Sequence, residues 1–238
     1  MMISSNVIKT VIKNEFRFLI FKPFVPDLKN HGNYYLFFAF FFTWTAGIGR
    51  YWDNPRADIW QMLGLGSVVY IITFACILWA LLWPLKPDRF SFKSIIIFLG
   101  MTSPPAILYA IPVEKIFYMK TAAFMNIIFL LVVAVWRVAL FVMYIRKTSG
   151  FDAFTTLVVT GLPITVIISS LAALNLEHAV FKIMGGISDS ERTANDTVYI
   201  ILLILTFFSF FTAPFLLKGY LYRIFTRRNL IRYFITKH

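Results

Sequence analysis

Charge is scarce in this chain: only 14% of its 238 residues are Asp, Glu, Lys or Arg. A soluble domain carries nearer a quarter, so a water-facing surface is excluded for most of the sequence. Cysteine is scarcer still. Cys76 stands alone inside an apolar run, which rules out an intramolecular disulfide and argues against a cysteine-based metal site. His31, His178 and His238 lie far apart and have no metal-ligand spacing. The chain also lacks a Gly-rich phosphate loop, a Gly-x-Ser-x-Gly elbow and a His-Glu-x-x-His pair. Glu177 and His178 are neighbours, but adjacent helical residues point about 100° apart. No catalytic residue, cofactor or metal is therefore expected, and the chain reads as a non-enzyme.

What fills the sequence instead is apolar: 59% of residues are hydrophobic, with 27 Phe, 11 Tyr and 6 Trp. Uncharged runs occupy 32–49, 59–85, 94–113, 121–136 continuing past Arg137 to 145, 153–176 and 197–217. At 1.5 Å per residue the shortest of them reaches roughly 27 Å, enough for a thin hydrocarbon core. The expectation is an all-α, polytopic membrane protein with about six transmembrane helices, or five if the first or third run is re-entrant. Tyr34 and Tyr35 at one end of the first run, with Tyr51 and Trp52 at the other, form an aromatic belt at each interface. No low-complexity linker or internal repeat divides the chain. Three segments are expected: a cytoplasmic amphipathic stretch over 1–30, a six-span membrane domain over 31–217, and a basic amphipathic cytoplasmic tail over 218–238.

Lys and Arg in the short loops set the orientation. With the N-terminus inside, the cytoplasmic segments hold 16 of these residues and the opposite face holds 6. Both termini are thus expected in the cytoplasm, with a bacterial inner membrane as the location. Lys9, Lys13, Glu15 and Arg17 interrupt the first apolar stretch, so a cleavable signal peptide is not expected. The net charge of +12 does not imply nucleic acid, because the basic residues flank apolar runs and meet anionic lipid headgroups. Lys9, Lys13 and Arg17 recur every fourth position opposite Ile8, Val11, Ile12, Phe16, Leu19 and Ile20, the pattern of an interfacial helix. Arg223, Arg227, Arg228 and Arg232 repeat it in the tail, and all seven are candidate membrane-surface contacts.

Two features inside the apolar runs are candidates for function. Pro104 and Pro105 lack backbone donors, so the third run is expected to kink, with Thr102 and Ser103 satisfying some of the freed groups. Such a break either packs closely against neighbouring helices or lines a solute path. Arg137 is the one charge inside a long apolar run. Its stem is expected to snorkel toward the cytoplasmic headgroups, the competing role being a counter-charge for an anionic solute. Gly161, Pro163 and Pro214 are further kink positions. The stretch from Arg50 to Asp58 balances two positive against two negative charges and reads as a solvated turn. Asn195-Asp196-Thr197 is formally a glycosylation sequon.

Three stretches carry a family resemblance. They are Ser91-Phe-Lys-Ser-Ile-Ile-Ile-Phe-Leu-Gly-Met-Thr-Ser-Pro-Pro105, Asn126-Ile-Ile-Phe-Leu-Leu-Val-Val-Ala-Val-Trp-Arg-Val138, and the connection from Gly150 to Pro163. Over roughly residues 34–175 the chain resembles the bacterial branch of the Yip family, the Ypt/Rab-interacting membrane proteins. It departs from that family in its sixth span and basic tail. The resemblance implies a non-enzymatic scaffold or membrane-organising factor acting through a protein partner or as a homo-oligomer. It supplies no catalytic residues. The alternative is a small transporter or channel subunit whose path runs past the Pro104–Pro105 kink and Arg137.

Overall fold

The computed structural model describes residues 5–22, 27–52, 57–85, 91–173 and 197–236. They are helical throughout, with no strand among them. The chain runs through α1 (Ser5–Leu19), α2 (Leu28–Gly49), the single turn α3 (Ile59–Met62), α4 (Leu65–Leu82) and α5 (Phe92–Met101). A 3-10 segment (Pro104–Ala110) and the short α6 (Val113–Ile116) lead to α7 (Met119–Thr148), α8 (Ala153–Ala173) and a last helix, Thr197–Thr236.

Three helical stretches, Leu65–Leu85, Phe124–Thr148 and Leu203–Thr226, are long and apolar enough to cross a bilayer. Phe92–Met101 and Pro104–Ala110 become a fourth if the pair, bent by 41°, counts as one span. The first and fifth sequence runs are helices as well: α2 is diluted by Tyr, Thr, Trp and Gly, and the described side chains of α8 form an apolar stretch over Ala153–Ser169. Among the described residues, length and composition establish three or four such helices.

The second run does not form one straight span. It breaks after α3 at Gly64, whose φ of +68° is the left-handed conformation that L side chains resist. A Cβ there would stand 2.7 Å from the carbonyl oxygen of Trp44 and 2.9 Å from the amide nitrogen of Ile48. The turn is therefore pressed directly onto the backbone of α2. The third run breaks where the prolines require it. Thr102 donates its hydroxyl to the Leu99 carbonyl at 2.7 Å, and the Ser103 amide reaches the Gly100 carbonyl at 3.0 Å, so the interrupted ladder is satisfied locally.

Every residue of α5 from Ser94 to Met101 is buried, which makes this short helix the centre of the bundle. It meets α2 where a Cβ on Gly100 would come within 2.5 Å of the Ala39 Cβ. On its other side Phe98 stacks on Tyr144 of α7, ring centroids 3.9 Å apart and planes 5° from parallel. The buried hydroxyls of Ser94 and Tyr144 bond to each other at 2.6 Å.

The N-terminal segment is more than a surface float. Val11, Glu15 and Phe18 of α1 are buried against the bundle, with Phe18 edge-on to Phe98. Trp136 donates its indole N–H to the Leu19 carbonyl at 2.9 Å, and Asn14 donates to the Tyr35 hydroxyl at 2.7 Å. Ile12, Phe16 and Ile20 remain exposed, so the apolar surface of α1 is divided between protein and surroundings. The tail, for its part, is not a separate helix. The last helix is continuous for 40 residues, about 60 Å, roughly twice the thickness of a hydrocarbon core.

Candidate functional site

The site is built from helix ends and breaks. α2 stops at Gly49, which leaves Arg50 at its C-terminal end beside the turn at Gly64. The Arg50 guanidinium lies over the Tyr109 ring, 4.9 Å from its centroid. Its Nε is shielded from water and has no hydrogen-bond partner among the described residues. Arg137 approaches from the middle of α7. Its guanidinium sits over the Tyr70 ring at 5.7 Å, and its Nε donates to the Thr102 hydroxyl at 3.3 Å. Both arginines line one cavity of about 280 Å³, together with Thr43, Gln61, Ser67, Tyr70 and Ser103. Among the described residues, no Asp or Glu lines it.

That absence decides the chemistry. A guanidinium carries five donors and stays protonated. One long hydrogen bond and two aromatic faces leave most of that capacity unused. The two cations also repel each other across the cavity, a cost that burial enlarges. An anion placed between them relieves the repulsion and takes up the free donors. Thr43 and Ser103, whose hydroxyls lie 3.0 Å apart, add a neutral polar wall. Among the described residues that line it, no nucleophile is paired to a base. No group of three or more His, Cys, Asp or Glu stands close enough to hold a metal among the described residues.

Several residues anticipated from the sequence meet here. Ser103 and Arg137 line the cavity, Thr102 anchors Arg137, and Pro104 and Pro105 bend the chain to bring them together. Arg137 reaches residues of two other elements. It lies about 16 Å along the helix from Thr148 and turns inward to Tyr70 and Thr102, because a ring face and a hydroxyl are within its reach.

The candidate surface contacts are dispersed. Lys9, Lys13 and Arg17 are exposed on α1. Arg223 is tied to Asp152 at 2.8 Å and rests over Phe154, so it joins the last helix to the start of α8. The side chains of Arg227, Arg228 and Arg232 lie outside the described residues, as do the sequon at Asn195 and the Glu177–His178 pair.

Sequence reasoning missed Arg50, which reads as part of a solvated turn. Its position beside Tyr51, at the end of a Phe-rich run, was the available signal. Only the fold of Gly64 and Tyr109 onto that end of α2 turns it into a cavity residue. Glu15 was missed too. Burial pushes its carboxyl up to about 9, and neither oxygen has a partner among the described residues.

No protein-family model, no curated protein and no solved structure matches this chain.

Proposed function

We propose that this chain is a small transporter or channel subunit that admits an anion to a site inside its helical bundle. The observation that carries this reading is the convergence of Arg50 and Arg137 on one cavity with no carboxylate among its described lining residues. Intramembrane cations ordinarily mark a pathway or a partner, and here the unpaired partner is a mobile anion. In the proposed arrangement the chain has six spans in a bacterial inner membrane, both termini are cytoplasmic, the basic residues near them contact anionic lipid, and no covalent chemistry is performed. The test is flux of labelled phosphate and chloride in liposomes. Arg137→Ala abolishes flux while the protein still purifies as a folded species. Flux that survives both Arg50→Ala and Arg137→Ala sinks the reading.

A Yip-like scaffold is the second reading. Its specific support is the outer face of the last helix, where Phe207, Phe208, Phe210, Phe211 and Phe215 are all more than half exposed. That face suits either lipid or a partner helix, and a stoichiometric protein retained through purification in mild detergent favours the scaffold.

A further inference from the structure

A second cavity of about 200 Å³ opens beside the first and shares Tyr70, Arg137 and Ile167 with it. Its remaining walls are almost wholly apolar: Phe74, Val133, Ala134, Val138, Phe141 and Ile168 are typical. Arg137 therefore stands at a junction, with cations and hydroxyls on one side and hydrocarbon on the other. Resting on the anion-binding reading, we infer that the ligand is a single-chain anionic amphiphile. Its phosphate or carboxylate head sits between Arg50 and Arg137, and its alkyl tail runs into the Phe74–Phe141 cavity.

Three observations carry this. First, a site shaped for a small hydrated ion has no use for an apolar annex reached past the same guanidinium. Water left in such an annex finds few partners, because Thr102, two tyrosine hydroxyls and Arg137 are the polar groups among its described lining residues. Second, the annex is lined by residues whose replacement by larger ones would close it. Ala134 and Val138 line it from α7, one turn apart, and both are exposed, so the annex opens at the bundle surface, where a tail can enter. Third, the aromatic rings under both guanidiniums hold them in place while leaving their N–H edges for a head group. Order and charge at one end, with hydrocarbon at the other, match a ligand of the same polarity.

The test compares one head group with and without a tail. Full-length protein in phosphatidylcholine nanodiscs is dialysed to equilibrium against inorganic phosphate, butyl phosphate and octyl phosphate, with empty nanodiscs as background. Each methylene that enters the annex tightens binding about fourfold, up to the length that fills it. Octyl phosphate is thus expected to bind at least tenfold tighter than inorganic phosphate. Ala134→Phe and Val138→Phe each erase most of that gap and shift inorganic phosphate less than twofold, while Arg50→Ala and Arg137→Ala lose all three ligands.

Equal binding of all three by the native chain overturns the amphiphile while leaving the anion site standing. That arm requires no variant to fold. A tail preference untouched by both cavity-filling variants overturns the assignment of the tail to this cavity. No saturable binding of any ligand overturns the amphiphile and the anion reading together.

Discussion

The two ends of this bundle treat polar groups in opposite ways. Around α5, with Glu15 as the exception, polar side chains are paired: Ser94 with Tyr144, Thr102 with the Leu99 carbonyl, and the half-buried Asn14 with Tyr35. Phe18, Phe98, Phe141 and Tyr144 pack ring on ring between them. Around Gly64 and Tyr109 the same chain leaves a cavity and turns two guanidiniums into it, with no acid among the described lining residues. The dense end contributes to stability, since satisfied hydrogen bonds and filled volume lower the free energy of the folded state. The open end costs stability. A feature that costs stability and is held in place by aromatic faces and helix breaks is a place to look for function.

The largest expected effect lies at the dense end. Gly100→Val forces side-chain atoms into Ala39 and its backbone, so the α2–α5 crossing must part. A loss of about 3 kcal/mol or more is expected, seen as a collapse of folded yield and of Tm by thermal denaturation in detergent. If Gly100→Val is tolerated, the two ends do not differ in packing as described.

At the open end the sign reverses. Arg50→Met and Arg137→Met each remove an unpaired charge and keep apolar volume, so Tm holds steady or rises by about 1 kcal/mol equivalent while anion flux disappears. A large fall in Tm would instead make these arginines structural.

Glu15 offers a third test, because it is the exception within the dense end. Its carboxyl is held neutral up to about 9, whereas an ordinary carboxyl ionises near 4.5. Between those values the folded protein keeps a proton that the unfolded chain releases. The sign is therefore negative: stability falls as pH rises through this window, by at most about 1.4 kcal/mol per pH unit. Glu15→Gln flattens that slope and gives the higher Tm at pH 8, with little difference at pH 5. Parallel pH profiles for the two proteins would show that Glu15 is hydrated in the folded state.

The smallest effect concerns the seam between α8 and the last helix. Asp152 and Arg223 are both partly exposed, at 52% and 35%. Hydrogen bonding from Thr155, with Arg223 nearby, holds the Asp152 carboxyl below its usual range. Asp152→Asn is expected to cost less than about 1 kcal/mol, and the difference shrinks in high salt. Denaturation at two ionic strengths checks it.

How much of this was legible beforehand differs from residue to residue. The kink at Pro104 and Pro105 was, because a missing donor is a local property that no packing can restore. The helical class was, because long uncharged runs leave few other ways to satisfy the backbone. The break at Gly64 was not. A lone glycine in an apolar run is compatible with a straight helix, and only the backbone of α2 pressing against it selects the left-handed turn. Arg137 stands out in the sequence as the one charge inside a long apolar run, but its contacts with Tyr70 and Thr102 do not. Its own helix offers a route to the headgroups, and the ring of Tyr70 that competes for it lies far away in the chain. Arg50 was read with the charges next to it in sequence, whereas its nearest aromatic partner, Tyr109, arrives through the bent segment.

The sequence alone determined that this chain is helical, apolar and interrupted at defined prolines, since these follow from residue volume, charge and backbone donors counted along one strand of chain. Tertiary structure alone decided that α1 is partly buried, that the tail continues the last helix, and that two arginines separated by 87 positions face one cavity. Those outcomes depend on which helix faces meet, and in a chain where nearly every face is apolar, the pattern of hydrophobic residues cannot choose between them.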